Sequence, residues 1–290
     1  MRTGLAVLAA LLLVDAVAAR PKPPRVVPYL RDGGQWKTIL SAPPVPSSPA
    51  GRADRAAYQA AAALTGGPQW MAATAQLRLD DNDVLGDFAC AMGRGITRDG
   101  APATRRLMAR LARDSSIEAT AAKTYYRRAR PFVGDPQART CDTRTVENPD
   151  ALGYSYPSGH ATTGRLWARA LALAWPASAK AVAAYGRSLG ENRIACRVHY
   201  PSDIAAGRKL ADGLFDKIAA SPDFRADLAA PPATGCPATR RREQVQATAT
   251  RRRRIAAPTR PKPPIISTHV VGSGTATAKS KFADGPFVKL

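Results

Sequence analysis

Histidine is rare in this chain, with three among 290 residues, at positions 160, 199 and 269. A site built from many imidazoles is therefore excluded. Cysteine is also sparse, with four residues, no CxxC pair and no histidine at finger spacing from any of them. That pattern speaks against a structural zinc module, and no metal ligand set is assigned. Aromatic residues make up 6% of the chain, and runs of alternating Val, Ile and Thr are few, which disfavours a sheet protein. Beyond the first twenty residues no stretch reaches the roughly 18 apolar residues of a membrane span. There is no internal repeat.

What is present is alanine, charge and proline. Alanine-rich text with scattered leucine favours helix, so the expected fold class is all-α. The length, with 45% hydrophobic residues, suffices for one sizeable core and one extra segment. The chain opens with Arg2, an apolar run over 4–14 and the small-residue pattern Ala16-Val17-Ala18. This reads as a secretory signal peptide over residues 1–19, cut near Ala18 or Ala19. The competing reading, a membrane anchor, asks too much of so short a run. The mature protein is then expected in the periplasm or outside the cell.

In such an oxidising compartment four cysteines suggest two disulfides. Cys90, Cys141, Cys196 and Cys236 allow three pairings. The expectation favours Cys90–Cys141 and Cys196–Cys236, because each closes a moderate loop and Cys236 sits where the compact text ends.

The formal net charge is +21, and residues 237–290 hold 12 Lys/Arg against 2 Asp/Glu. A basic body suits an anionic substrate, and a basic tail suits weak binding to a polyanion. The tail lacks the apolar content to offset ordering entropy and is expected to be disordered. Residues 20–50 contain eight prolines and are expected to form an extended or loosely packed arm. The compact region is placed at 51–236. Helices are expected over 54–64, 69–79, 80–92, 102–122, 158–174, 177–190 and 201–219, from apolar spacing and from breakers such as Trp175-Pro176.

Three polar clusters carry candidate chemistry. Lys123 and Arg130 are seven apart, so one continuous helix would put both cations on one face, able to grip one phosphate. A solvated helix face explains the same pair. Tyr154-Ser155-Tyr156-Pro157-Ser158-Gly159-His160 precedes a helical pattern. Ser158 is a good N-cap, Gly159 lets a ligand approach the backbone, and the free N–H groups of a helix start bind anions. His160 stands at its mouth, placed to donate a proton; a capped helix with a surface histidine is the plain alternative. In the third cluster His199 and Asp203 are four apart, so the carboxylate can fix the imidazole tautomer, while Arg193 can neutralise a transferring phosphoryl group.

Together, in this order, the clusters resemble the signature of the type 2 phosphatidic acid phosphatase superfamily. The parts are Lys123…Arg130-Pro131, then Pro157-Ser158-Gly159-His160, then Arg193…His199…Asp203, within about residues 80–220. Asn192 departs from the pattern, which has serine there. The single-domain, signal-bearing form is similar to the bacterial class A non-specific acid phosphatases. The resemblance implies a single-domain helical bundle that hydrolyses small phosphomonoesters, releases inorganic phosphate and needs no metal or other cofactor. It implies attack on phosphorus by His199, orientation by Asp203 and proton transfer by His160. Lys123, Arg130, Arg193, Ser158 and the Gly159 N–H would hold the phosphoryl oxygens. Tyr154 and Tyr156 could stack on an aryl or nucleoside leaving group, or be core residues.

The same signature is similar to that of vanadium-dependent haloperoxidases, which are typically longer, and of lipid-phosphate phosphatases, usually multi-spanning. A reading from another class is a basic polyanion-binding protein. The preferred ester and the oligomeric state are left open.

Overall fold

The computed structural model describes residues 25–79, 81–93, 101–135 and 137–229. The leader, Cys236, His269 and the basic tail lie outside the described residues. Ten helices occur among those described: α1 Trp36–Ile39, α2 Pro49–Ala60, α3 Pro68–Ala75, α4 Asp81–Ala91 and α5 Pro102–Tyr126, followed by α6 Arg144–Glu147, α7 Gly159–Ala174, α8 Ala179–Ala195, α9 Pro201–Ala219 and α10 Pro222–Ala229. Short 3₁₀ turns cover Ala61–Leu64, Pro149–Leu152 and Pro176–Ser178. No strand occurs among the described residues, and none of their helices is long and apolar enough to cross a membrane.

The sequence explains the boundaries. Ser48 caps α2 by accepting from the Gly51 N–H, and Pro49 occupies the first turn, where its missing N–H costs nothing. Pro68, Pro102, Pro201 and Pro222 open their helices in the same way. Tyr126 ends α5, because Arg127 takes a left-handed conformation with φ 50°. α7 stops at Ala174, before the Trp175-Pro176 pair.

α7 is the central helix, with α5, α8 and α9 packed around it. Leu166, Trp167 and Leu171 on α7 are buried, as are Leu210, Leu214 and Ile218 on α9. Each such side chain contributes about 1.5–3 kcal/mol through removal from water. The Trp167 indole N–H donates to the Met108 carbonyl at 2.8 Å, so this fully buried ring leaves no polar atom stranded. α7 and α8 cross closely: a Cβ added at Gly164 would lie 2.6 Å from the Gly186 carbonyl, and one at Gly186 would lie 2.4 Å from that of Gly164.

The expectation of a loose arm over 20–50 is corrected for the part described. Tyr29, Trp36 and Leu40 are buried in the main core. Two acidic residues of α5 hold this segment: Asp114 accepts the N–H groups of Tyr29 (3.0 Å) and Leu30 (2.9 Å), and Glu118 those of Gly34 (3.0 Å) and Trp36 (2.9 Å). The prolines set extended backbone, and α5 supplies the partners that extended backbone lacks. Asp114→Ala is expected to destabilise the fold by about 1–3 kcal/mol, by leaving buried N–H groups unpaired. Urea unfolding measures it; an unchanged midpoint would show that these bonds do not hold the arm.

The disulfide expectation is also corrected. Cys141 pairs with Cys196, with Cα atoms 4.7 Å apart, and Cys90 is a free, exposed thiol. The segment after α5 brings Cys141 under the end of α8, where its N–H also donates to the Cys196 carbonyl at 3.2 Å. Loop length was no guide to a pairing set by this packing.

Candidate active site

The site lies at one end of α7, where α3, α5, α8 and α9 also deliver their ends. His199 sits in the turn between α8 and α9, and Asp203 is the third residue of α9. The Asp203 carboxylate accepts from the His199 Nδ1 at 3.2 Å, the Tyr200 N–H at 2.9 Å and an Arg128 Nη1 at 2.6 Å. Burial raises the pKa of Asp203, and Arg128 and the Tyr200 N–H pull it back.

On its other side the His199 Nε2 lies 3.2 Å from the Arg130 Nη1. Guanidinium has no lone pair to offer, so Nε2 is the acceptor and carries a free pair. Nδ1 then bears the proton, donated to Asp203. Burial lowers the pKa of His199 well below the usual imidazole range, helped by Arg130, Lys123, Arg193 and Arg128. The neutral ring with a basic Nε2 is the favoured form.

Arg130 is buried, and all five of its N–H groups have partners: the carbonyls of Leu152, Gly153, Tyr154 and Val198, and the His199 ring. It clasps the loop before α7 to the turn after α8. The expectation that Lys123 and Arg130 share a helix face is corrected. Lys123 is in the last turn of α5, and Arg130 lies beyond the left-handed Arg127 that ends it. The two meet because the chain turns back. The Lys123 ammonium donates to the carbonyls of Tyr154 (2.6 Å) and Ser155 (3.2 Å), which leaves one N–H for a ligand. Burial, and then the charge of Arg130, lower its pKa to about 7.

Arg193, on the last turn of α8, is wholly buried. One Nη2 proton goes to the Ala73 carbonyl of α3, while the buried Nε has no protein partner. Burial lowers its pKa to about 10, so it stays charged at neutral pH.

Ser158 caps α7 by accepting from the Ala161 N–H at 3.3 Å, and its own N–H donates to the Asp203 carbonyl at 3.0 Å. This last bond ties the start of α7 to the backbone of Asp203, whose carboxylate holds the His199 ring. A Cβ added at Gly159 would meet no protein atom within 4 Å, so the helix start is approachable there. The His160 Nε2 lies 3.1 Å from the Gln76 carbonyl and therefore donates to it. Burial, then Arg193 and His199, lower the pKa of His160, while the Gln76 and Leu77 backbone oppose this.

The two tyrosines separate. Tyr154 exposes its ring, and its carbonyl serves Lys123 and Arg130. Tyr156 is corrected to a core residue: it is buried, stacks edge-on against Tyr126 and donates to the Ser41 carbonyl at 2.7 Å.

Sequence reasoning missed Asp54, Arg128 and Gln76. Asp54, buried on α2, accepts from Arg128 at 2.7 Å and from the Ser202 N–H at 3.0 Å, which anchors the α9 start beneath Asp203. Nothing in the local sequence separates Asp54 and Arg128 from the rest of the chain's 22 Asp/Glu and 43 Lys/Arg positions. Among the described residues no group of three or more His, Cys, Asp or Glu is placed to hold a metal ion.

Fold and site together define an all-helical enzyme with a histidine–carboxylate pair inside a cradle of three buried or half-buried cations and a helix start. The chain belongs to the PAP2 superfamily, whose profile matches residues 107–212. It is 34% identical over 191 residues to a non-specific acid phosphatase of Salmonella typhimurium, an alignment covering 66% of this chain and 76% of that protein. It is 33% identical over 193 residues to the non-specific acid phosphatase of Salmonella typhi, covering 66% and 76%. It is also 34% identical over 191 residues to an acid phosphatase of Zymomonas mobilis, covering 65% and 71%.

Proposed function

We propose that this protein is a metal-independent, non-specific acid phosphatase that works through a phosphohistidine on His199. The carrying observation is the His199 ring, with Nδ1 committed to Asp203 and a lone pair on Nε2, beside Arg193 with its unpartnered Nε. Phosphoryl transfer asks mainly for positioning and charge neutralisation. Lys123, Arg130 and Arg193 offer three positive charges for a phosphate dianion, and the α7 start offers N–H groups.

In the first step the Nε2 lone pair forms an N–P bond as the P–O ester bond breaks. The leaving oxygen takes a proton from the His160 imidazolium. In the second step His160 removes a proton from water, whose oxygen forms a P–O bond as the N–P bond breaks. Inorganic phosphate leaves and both rings return to their starting state. To hold phosphate, Arg130 must redirect at least one N–H, and the Nη1 bond to His199 is the one that substrate replaces. The reading includes export to the periplasm or beyond, supported by the leader pattern and by the Cys141–Cys196 bridge.

The sign of the pH dependence follows from the site. A lowered His199 pKa keeps Nε2 unprotonated well into acid. Lys123 loses its charge as pH rises through about 7, and His160, whose pKa is lowered well below the usual imidazole range, loses the proton it must donate at lower pH still. The kcat/KM profile is therefore expected to peak on the acid side of neutrality, to fall above about pH 7 and to be unaffected by EDTA. A p-nitrophenyl phosphate assay from pH 4 to 9 checks it; an alkaline optimum or EDTA inhibition would sink the proposal.

A further inference from the structure

We propose that Gln76 and Asn192 are positioning residues that hold the His160 ring for proton transfer to the leaving group. This rests on the reading of His160 as the proton donor above. Gln76 is the C-cap of α3, and its N–H bonds back to the Ala72 carbonyl at 3.2 Å. Its own carbonyl lies past the last turn, where a helix has no internal partner for it. That carbonyl accepts from the His160 Nε2 at 3.1 Å. The C-terminal end of a helix also carries partial negative charge, which favours the imidazolium form. With Nε2–H committed to the carbonyl, Nδ1 is the nitrogen that exchanges a proton with substrate.

What holds the carbonyl is the Gln76 side chain. Its Oε1 accepts from the Asn192 Nδ2 at 2.7 Å. It also hydrogen-bonds Tyr185, whose hydroxyl donates to Asp87 at 2.6 Å. Tyr185 and Asn192 stand two turns apart on α8, so α8 grips Gln76 at both ends of its amide. Asn192 also immediately precedes Arg193, which bonds the Ala73 carbonyl of the same α3 end. One helix end is thereby fixed against the phosphate-side cation, and the histidine is fixed against that helix end. Serine, the residue of the resembled pattern, places its hydroxyl one bond nearer the backbone than the Asn192 Nδ2 and would fall short of Gln76.

The test compares two substrates. 2,4-Dinitrophenolate leaves without a proton, whereas the alkoxide of glycerol 2-phosphate needs one. General acid catalysis is worth about 10²–10⁴-fold, so a misplaced donor should cost on the order of tenfold. Asn192→Ala, Asn192→Ser and Gln76→Ala are expected to lower kcat/KM for glycerol 2-phosphate about tenfold or more. The kcat/KM for 2,4-dinitrophenyl phosphate, which reads only the first step, and inhibition by inorganic phosphate should stay nearly unchanged. The ratio of the two kcat/KM values does not depend on the fraction folded, so partial misfolding cannot imitate the result. An unchanged ratio in these variants would overturn the proposal. So would an equal loss on both substrates with weaker phosphate inhibition, which would mean that Asn192 touches phosphate itself. His160→Ala, run alongside, separates the two readings. If it leaves the ratio unchanged, the assignment of His160 fails; if it shifts the ratio and Asn192→Ala does not, the tether fails.

Discussion

His199→Ala is expected to lower kcat/KM for p-nitrophenyl phosphate by about 10⁴-fold or more, the scale of removing a covalent nucleophile. The size of the loss follows from how completely the site commits this ring. Its Nδ1 is held by Asp203, which Arg128 and the Tyr200 N–H hold in turn. No second nucleophile is placed to substitute among the described site residues. The cations would still bind phosphate, so inorganic phosphate should still protect the variant against thermal unfolding. His199→Asn, closer in volume, guards against collapse of the buried pocket. Rapid quenching with labelled substrate provides the direct readout: a protein-bound phosphate, labile in acid and stable in alkali, in the parent and absent from both variants. Activity within tenfold of the parent in either would mean that water attacks phosphorus directly, and the phosphohistidine mechanism would be abandoned.

The second large effect is on stability. Cys141 and Cys196 are separated by 55 residues. On the chain-entropy argument a loop of that size is worth about 4 kcal/mol. Replacing both cysteines by serine should lower Tm by roughly 10 °C for a domain of this size. The consequence should reach the chemistry, because Cys196 is the C-cap of α8 and falls between Arg193 and His199. The Val198 N–H to Arg193 carbonyl bond at 3.1 Å lies in the same turn. Activity should therefore be lost during thermal challenge well before the parent loses its own, and reduction of the parent should mimic the double variant. A double variant with the parental Tm would show that packing alone holds this turn.

Much of this was legible from residue patterns, for identifiable reasons. α9 begins and ends where Pro201 and the spacing of Leu210, Leu214 and Ile218 place it. Ser158 caps α7 as its position before an apolar run suggests. The errors are equally particular. The end of α5 carries no glycine, and an arginine in left-handed backbone at 127 gives no textual warning, so Lys123 and Arg130 read as one helix face. The disulfide depended on which loops pack beneath α8, which spacing does not encode. The arm was misread through its prolines, although a signal existed: Asp114 and Glu118 continue the stripe of Leu107 and Leu111 on α5. Acids on a buried face need donors, and these find theirs in backbone N–H groups some eighty residues earlier in the chain. Gln76 could not be found by motif at all, because its backbone carbonyl bonds His160 and every residue has one.

The close crossing of α7 and α8 constrains how this sequence can diverge. At Gly164 and Gly186 the first atom of any side chain would press on the opposing backbone carbonyl. Neither helix could yield without moving its end, and those ends carry Ser158, His160, Asn192 and Arg193. Surface arginines can drift in lineage after lineage with little consequence. Two residues with no functional group at all, one to two turns from the site along their helices, should be among the slowest to change.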